Sequence, residues 1–174
     1  MVNISEGWML PKEVFDWINS NIAIGSCVLE FGSGNGSRIL SKRFDLISIE
    51  HDKSWLNLSS GRYIHAEIIE NRFSTEFSQK GWYNFEKITD LPSNVELIII
   101  DGPPGEIGRA GILDFLNQLP LAKWILVDDT DRTDEKALLS RLIQLLEPIS
   151  LVNIISESKR GNGDCREATV LRMG

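Results

Sequence analysis

The chain has 174 residues, 42% of them hydrophobic and 25% charged, which is enough for one globular domain with a sizeable core. Its formal net charge of −7 argues against general binding to nucleic acid or an anionic membrane, since both need a basic surface. It has no apolar run near the ~20 residues of a membrane span, no signal-peptide pattern at its start, and two cysteines, Cys27 and Cys165, that form neither a disulfide framework nor a zinc spacing; the expected location is a reducing cytoplasm.

In chain order, "PKEVFDWINSNI" (11–22) predicts a helix: Pro11 suits a first turn, and Val14, Phe15, Ile18 and Ile22 share one face. "CVLEF" (27–31) reads as a strand, and a helix begins at Ser37 and runs to Arg43, directly after the glycines. "LISIE" (46–50) is the next strand, "KSWLNLS" (53–59) a short helix and "YIHAEII" (63–69) a third strand. Residues 71–94 form a variable insert, polar and aromatic, with Phe73, Phe77, Trp82 and Tyr83. Such a segment suits a lid, a pocket wall or the surface of a homodimer, and the sequence "GWMLP" near the start is a second candidate cover.

"VELIIID" (95–101) and "KWILVDD" (123–129) are nearly continuous apolar runs, the pattern of strands buried on both faces. Residues 107–118 read as helical, and "TDEKALLSRLIQLLE" (133–147) is an amphipathic helix stopped by Pro148. "ISLVNIIS" (149–156) and "EATVLRM" (167–173) are strands joined by a loop too short for a crossover, so they should be antiparallel. The expected fold is a single α/β domain over residues 1–174. It is a doubly wound, Rossmann-like, mostly parallel seven-stranded sheet with one antiparallel strand from a C-terminal hairpin.

In such a sheet, ligands sit beyond the carboxyl ends of the strands. Those ends are acidic here: Glu30, Glu50, Asp101, Asp128 and Asp129. Gly32, Gly34 and Gly36 follow the first strand as G-x-G-x-G; no Walker lysine follows, and Ser37 stands where a dinucleotide fingerprint has its third glycine. Glu30 would repel a pyrophosphate and accept hydrogen bonds from an ammonium group, which S-adenosylmethionine carries. Alternatively the glycines make only a strand-to-helix turn. Glu50 could hold the two hydroxyls of a ribose, in NAD or in S-adenosylmethionine alike. His51 and Asp52 could touch an adenine edge, or Asp52 could cap the next turn.

Asp101 opens the stiff loop "DGPPG", and Arg109 could bind an anionic substrate or balance the carboxylates. Asp101, Asp128 and Asp129 together suit a hard divalent cation of the Mg type, which would orient and acidify a substrate hydroxyl. The alternative is that Asp131 or Thr130 caps the following helix while one aspartate pairs with Arg132. His65, inside a strand pattern, reads as a packed or edge residue.

Together these motifs resemble the class I S-adenosylmethionine-dependent methyltransferases. "LEFGSGNGS" resembles that family's first motif, "ISIEHD" its ribose-binding motif and "IIIDGPPG" its fourth-strand motif; the likeness runs from about residue 26 to the C-terminus. The pairing of Asp101 with Asp128-Asp129 resembles the metal ligands of catechol-type O-methyltransferases, although those usually carry Asp-Asn at the fifth strand. The run "DGPPG…GR…DDTDR" is similar to glucuronoxylan-type O-methyltransferases.

The resemblance implies that Glu30, Phe31, Gly32, Ser33, Gly34 and Gly36 surround the methionine end of the cofactor, with Glu50 and His51 at its nucleoside. Asp101 would sit by the methyl group, with Asp128 and Arg109 as further catalytic candidates. The implied reaction is in-line methyl transfer to a hydroxyl of a small molecule or glycan, with no nucleic-acid or membrane partner. A cofactor-binding accessory protein and a nicotinamide oxidoreductase are the other readings.

Overall fold

The computed structural model describes residues 9–72, 81–159 and 163–174. Its centre is a seven-stranded sheet built from β1 (Cys27–Phe31), β2 (Asp45–Glu50), β3 (Arg62–His65), β6 (Asn94–Ile100), β7 (Leu121–Val127), β8 (Ser150–Lys159) and β9 (Cys165–Arg172). A small second sheet pairs β4 (Ile68–Ile69) with β5 (Trp82–Tyr83).

The strand order is β3-β2-β1-β6-β7-β9-β8. Pairing is parallel from β3 through β7, and β9 is antiparallel to both β7 and β8. This is the expected doubly wound sheet with one reversed strand. The order switches direction between β1 and β6, so a crevice opens beyond their ends.

Alternation along the strands divides the core. Leu29, Phe31, Ile98 and Ile100 face one side, under Trp82, Phe85, Ile112 and helix α3 (Thr133–Leu146) with Leu138 and Leu142. Val28, Leu46, Leu97 and Ile99 face the other, under helices α1 (Lys12–Asn21) and α2 (Ser37–Leu40) with Val14, Ile18 and Leu40. The continuous apolar runs of β6 and β7 are buried because both faces are covered.

Three expectations need correction. Residues 107–118 form no α-helix but two short 3₁₀ turns, Ala110–Asp114 and Leu116–Gln118. Gly111 lies so close to Trp82 that a Cβ there would fall 2.2 Å from the Trp82 Cβ, so packing sets the backbone path. The strand expected at 63–69 breaks after His65: the Ala66 amide donates to the Glu50 carbonyl, and Ile68–Ile69 turns away to pair with Trp82–Tyr83. The helix at 53–59 is a single turn, Lys53–Trp55, capped by the Asp52 side chain at the Ser54 amide (2.9 Å).

Trp82 and Tyr83 are fully buried, and Phe85 stacks on Phe115 with ring centroids 4.0 Å apart. These aromatics belong to the core, neither to a lid nor to an exposed surface. Phe73 and Phe77 lie outside the described residues, as do Gly7 and Trp8 of "GWMLP". Among the described residues, no helix is long and apolar enough to cross a membrane.

At the switch point the two strand ends touch through glycine. Gly32 follows β1 at φ +89°, a conformation that side chains disfavour. A Cβ on Gly102 would sit 2.6 Å from the Gly32 Cα and 2.7 Å from the Tyr83 hydroxyl. The prediction is that Gly102→Ala forces the strand ends apart and costs about 1–3 kcal/mol of stability. Urea unfolding measures this; wild-type stability in the variant would show that the contact yields freely.

Candidate functional site

The crevice holds a cavity of 520 Å³, bordered by Gly32, Ser33, Glu50, His51, Trp55, Asp101, Gly102, Arg109, Asp129 and Arg166. Its shape follows from the acids that close the strands.

Glu50 ends β2 with its carboxylate among amides. Ser33 N donates to Oε2 (2.8 Å), and His51 N and Asp52 N both donate to Oε1 (2.7 Å each). His51 Nδ1 lies 2.8 Å from the same Oε1. Burial alone would raise the Glu50 pKa, but the imidazole and the amides outweigh it and hold the group below its ordinary value. The His51 pKa rises because of the Glu50 carboxylate, against a smaller effect of burial. His65 Nε2 lies 3.0 Å from the His51 carbonyl, so this histidine supports the loop, as its strand position suggested.

Glu30 occupies a different place. It lies beneath the glycine loop on the α1 and α2 side and accepts hydrogen bonds from Ser37 and Ser48, its register partner on β2. Ser37 Oγ also accepts from Gly34 N (3.1 Å), so Glu30 orders the loop through Ser37. Burial raises its pKa to about 7, opposed by the two serine hydroxyls. Phe31 faces the aromatic core, 5.4 Å from Trp82, and Gly36 packs near Phe15 and Met9. Of the predicted loop residues, Gly32 and Ser33 border the cavity.

The acid rim lies at the ends of β6 and β7. Asp101, Asp128 and Asp129 each offer an oxygen within 4.8 Å of the others. Arg109 is 2% exposed and donates to the carbonyls of Asp101 (2.7 Å), Asp128 (2.9 Å) and Pro103 (3.3 Å) and to Asp129 Oδ2 (3.0 Å). Of the two readings for this arginine, the geometry displays charge balance. Arg132 Nη1 reaches Asp129 Oδ2 at 3.0 Å. Arg166 joins Asp128 Oδ2 (2.9 Å), Asp129 Oδ1 (3.5 Å) and the Met9 carbonyl (3.2 Å).

Asp101 borders the cavity, and its side chain is 30% exposed. Burial of its carboxyl, then the charge of Asp128, push its pKa well up, and Arg109 opposes this. Asp131 and Thr130 do not cap α3: Asp131 Oδ1 accepts from Glu167 N (3.0 Å) and Thr130 meets Thr169 (3.2 Å). For a divalent cation the donor set is mixed. Asp128 Oδ1 is buried without a hydrogen-bond partner, yet Asp128 Oδ2 and both oxygens of Asp129 already face guanidiniums.

Arg166 has no counterpart among the predicted site residues. It lies in the final hairpin, and no motif marks it. Tyr83, named from the sequence as part of a segment suited to a lid, a pocket wall or a dimer surface, lies behind the cavity: its buried hydroxyl has no hydrogen-bond partner and abuts Gly102.

No protein-family model matches the chain, and no curated protein matches its sequence. Solved structures do. The C-terminal domain of precorrin-6Y C5,15-methyltransferase from Rhodobacter capsulatus is similar at TM-score 0.60 and 14% identity, over 97% of this chain and 91% of that one. An O-methyltransferase from Bacillus cereus, in complex with SAH, is similar at TM-score 0.57 and 11% identity, over 98% and 84%. The METTL16 methyltransferase domain is similar at TM-score 0.57 and 11% identity over 92% of this chain, which spans only 65% of the METTL16 chain. At these identities the likeness concerns architecture: the chain has the fold of the class I methyltransferases.

Glu30 makes a pH prediction. Its carboxyl holds a proton in the folded state up to about pH 7, whereas the unfolded group loses it near the ordinary glutamate value of 4.5. Between these values the folded state binds more protons, so stability falls as pH rises. The decline is roughly 3 kcal/mol. Glu30→Gln should flatten it while still accepting from the serines. Urea unfolding at pH 5 and pH 8 checks this; equal slopes in both proteins would refute a buried, proton-holding Glu30.

Proposed function

We propose that this domain binds S-adenosylmethionine in the crevice and transfers its methyl group to a hydroxyl of a small molecule or glycan. The carrying observation is that one 520 Å³ cavity is bordered both by Glu50, whose pKa is held down, and by Asp101, whose pKa is pushed up. A cavity of this size suits a cofactor and a small acceptor.

The glycine contact keeps side chains out of the cavity floor, so a ligand can approach the backbone at Gly32 and Ser33. Glu50, held ionised by fixed amides, suits the paired hydroxyls of a ribose. When bound, the cofactor's sulfonium supplies the transferable methyl. The protein's part is then positioning and proton removal. Asp101 borders the cavity and positions the acceptor oxygen. Asp128 is fully buried and acts through Asp101. Its raised pKa makes the Asp101 carboxylate a better acceptor for the proton that the acceptor hydroxyl gives up. Arg109 holds both strand ends in place for this.

The net charge of −7 disfavours phosphate-rich acceptors, which supports an uncharged hydroxyl compound over nucleic acid. The likeness to two O-methyltransferase subgroups noted from the motifs supports the same acceptor chemistry.

Calorimetry with S-adenosylmethionine, S-adenosylhomocysteine and NAD tests the cofactor. The expected result is one-to-one binding of the first two, weakened at least tenfold by Glu50→Ala. Tight NAD binding without S-adenosylmethionine binding would sink the proposal. For the chemistry, Asp101→Asn should retain cofactor affinity and lower transfer of labelled methyl to hydroxyl acceptors by tenfold or more; unchanged turnover would remove Asp101 from the mechanism.

A further inference from the structure

The motif likeness to catechol-type enzymes implies a divalent cation on Asp101, Asp128 and Asp129. The surroundings of these residues point elsewhere. Asp129 Oδ2 lies 3.0 Å from both Arg109 Nη2 and Arg132 Nη1, and its Oδ1 lies 3.5 Å from Arg166 Nη2. Asp128 Oδ2 lies 2.9 Å from the same Arg166 nitrogen. Three of the four oxygens at the end of β7 thus already face guanidiniums. Asp128 Oδ1 and the Asp101 carboxyl are left, and Asp101 Oδ1 itself lies 3.6 Å from Arg109 Nη2.

Charge gives the same answer. Arg109, Arg132 and Arg166 balance the three aspartates one for one. Glu135 Oε1, 3.9 Å from Arg109 Nε, adds one further carboxylate. Counted with every carboxyl ionised, the remaining charge is a single unit, half that of a divalent ion. Nor can Arg109 swing aside, because three backbone carbonyls hold its buried guanidinium. A small hard cation needs its oxygens at about 2.0–2.6 Å. Here it would displace arginines or sit against them.

We infer that this site works without a metal, and that Arg109, Arg132 and Arg166 supply the positive charge that a divalent ion provides in catechol-type sites. Arg166 is the residue that decides this, since it faces oxygens on both Asp128 and Asp129. Its place in the catalytic rim rests on the function proposed above; its effect on metal binding does not.

The test is Mn²⁺ titration of the chelator-dialysed protein, followed by calorimetry and by electron paramagnetic resonance of free Mn²⁺. Wild type should show no stoichiometric binding below millimolar Mn²⁺. Arg166→Gln frees Asp128 Oδ2 and Asp129 Oδ1 and should bind Mn²⁺ at least tenfold more tightly. If circular dichroism shows that this variant is unfolded, Arg132→Gln, at a partly exposed position, frees one contact to Asp129 and should shift affinity in the same direction. Micromolar binding of one Mn²⁺ by wild type overturns the inference, as does a folded variant with wild-type Mn²⁺ affinity. Neither measurement uses the cofactor or an acceptor, so absent S-adenosylmethionine binding would sink the proposed function and leave the metal result standing.

Discussion

The buried guanidinium of Arg109 is the contact on which the site depends. A buried charge is costly unless its partners are complete. Arg109 meets this with carbonyls that follow β6 and β7 and with the Asp129 carboxylate. The ends of β6 and β7 are thereby tied at a fixed distance, and the loop from Gly102 to Gly108 must arch over the same side chain through the Pro103 carbonyl. That arch forms one wall of the cavity. The contact of Gly32 with Gly102, at the ends of β1 and β6, forms the floor, because no side chain fits between them.

Acids at the ends of β1 and β2, one sheet position apart, have divergent environments. Glu50 sits among amides and an imidazole, so its charged form is favoured. Glu30 sits among hydroxyls on a dry face, so its neutral form is favoured. The difference comes from position along the strand: Glu30 is level with Ser48 beneath the glycine loop, whereas Glu50 lies two residues further on, where β2 ends at the crevice. The one supports the loop and the other is available to a ligand.

Much of this was legible in the sequence, because short-range patterns set it. The apolar runs of β6 and β7, the glycines after β1, the amphipathic period of α3 and the short hairpin loop each predict their element locally. The strand-end acids followed from the strands. What was illegible depends on distant partners. The segment 107–118 has a helical composition, but Gly111 must press against Trp82, which is 29 positions away in sequence. Trp82 and Tyr83 look like surface aromatics in a polar stretch until β4 and β5 fold them under the sheet. Arg166 lies in a strand whose pattern says nothing of charge pairing; only the insertion of β9 beside β7 brings it to the rim. Phe31 and Glu30 were recognised as part of a motif, but the alternation of β1 decides that neither borders the cavity.

The bond from Arg166 to the Met9 carbonyl spans 157 positions of sequence. Its guanidinium also holds the aspartates that follow β7. The glycine loop and Glu50 can come together within the first third of the chain, whereas the rim needs a residue from the last tenth. The rim is therefore complete only once the last strand lies beside β7. Loss of the final hairpin would take this arginine from the rim and at the same time uncover the edge of β7 and the core residues Ala168 and Val170.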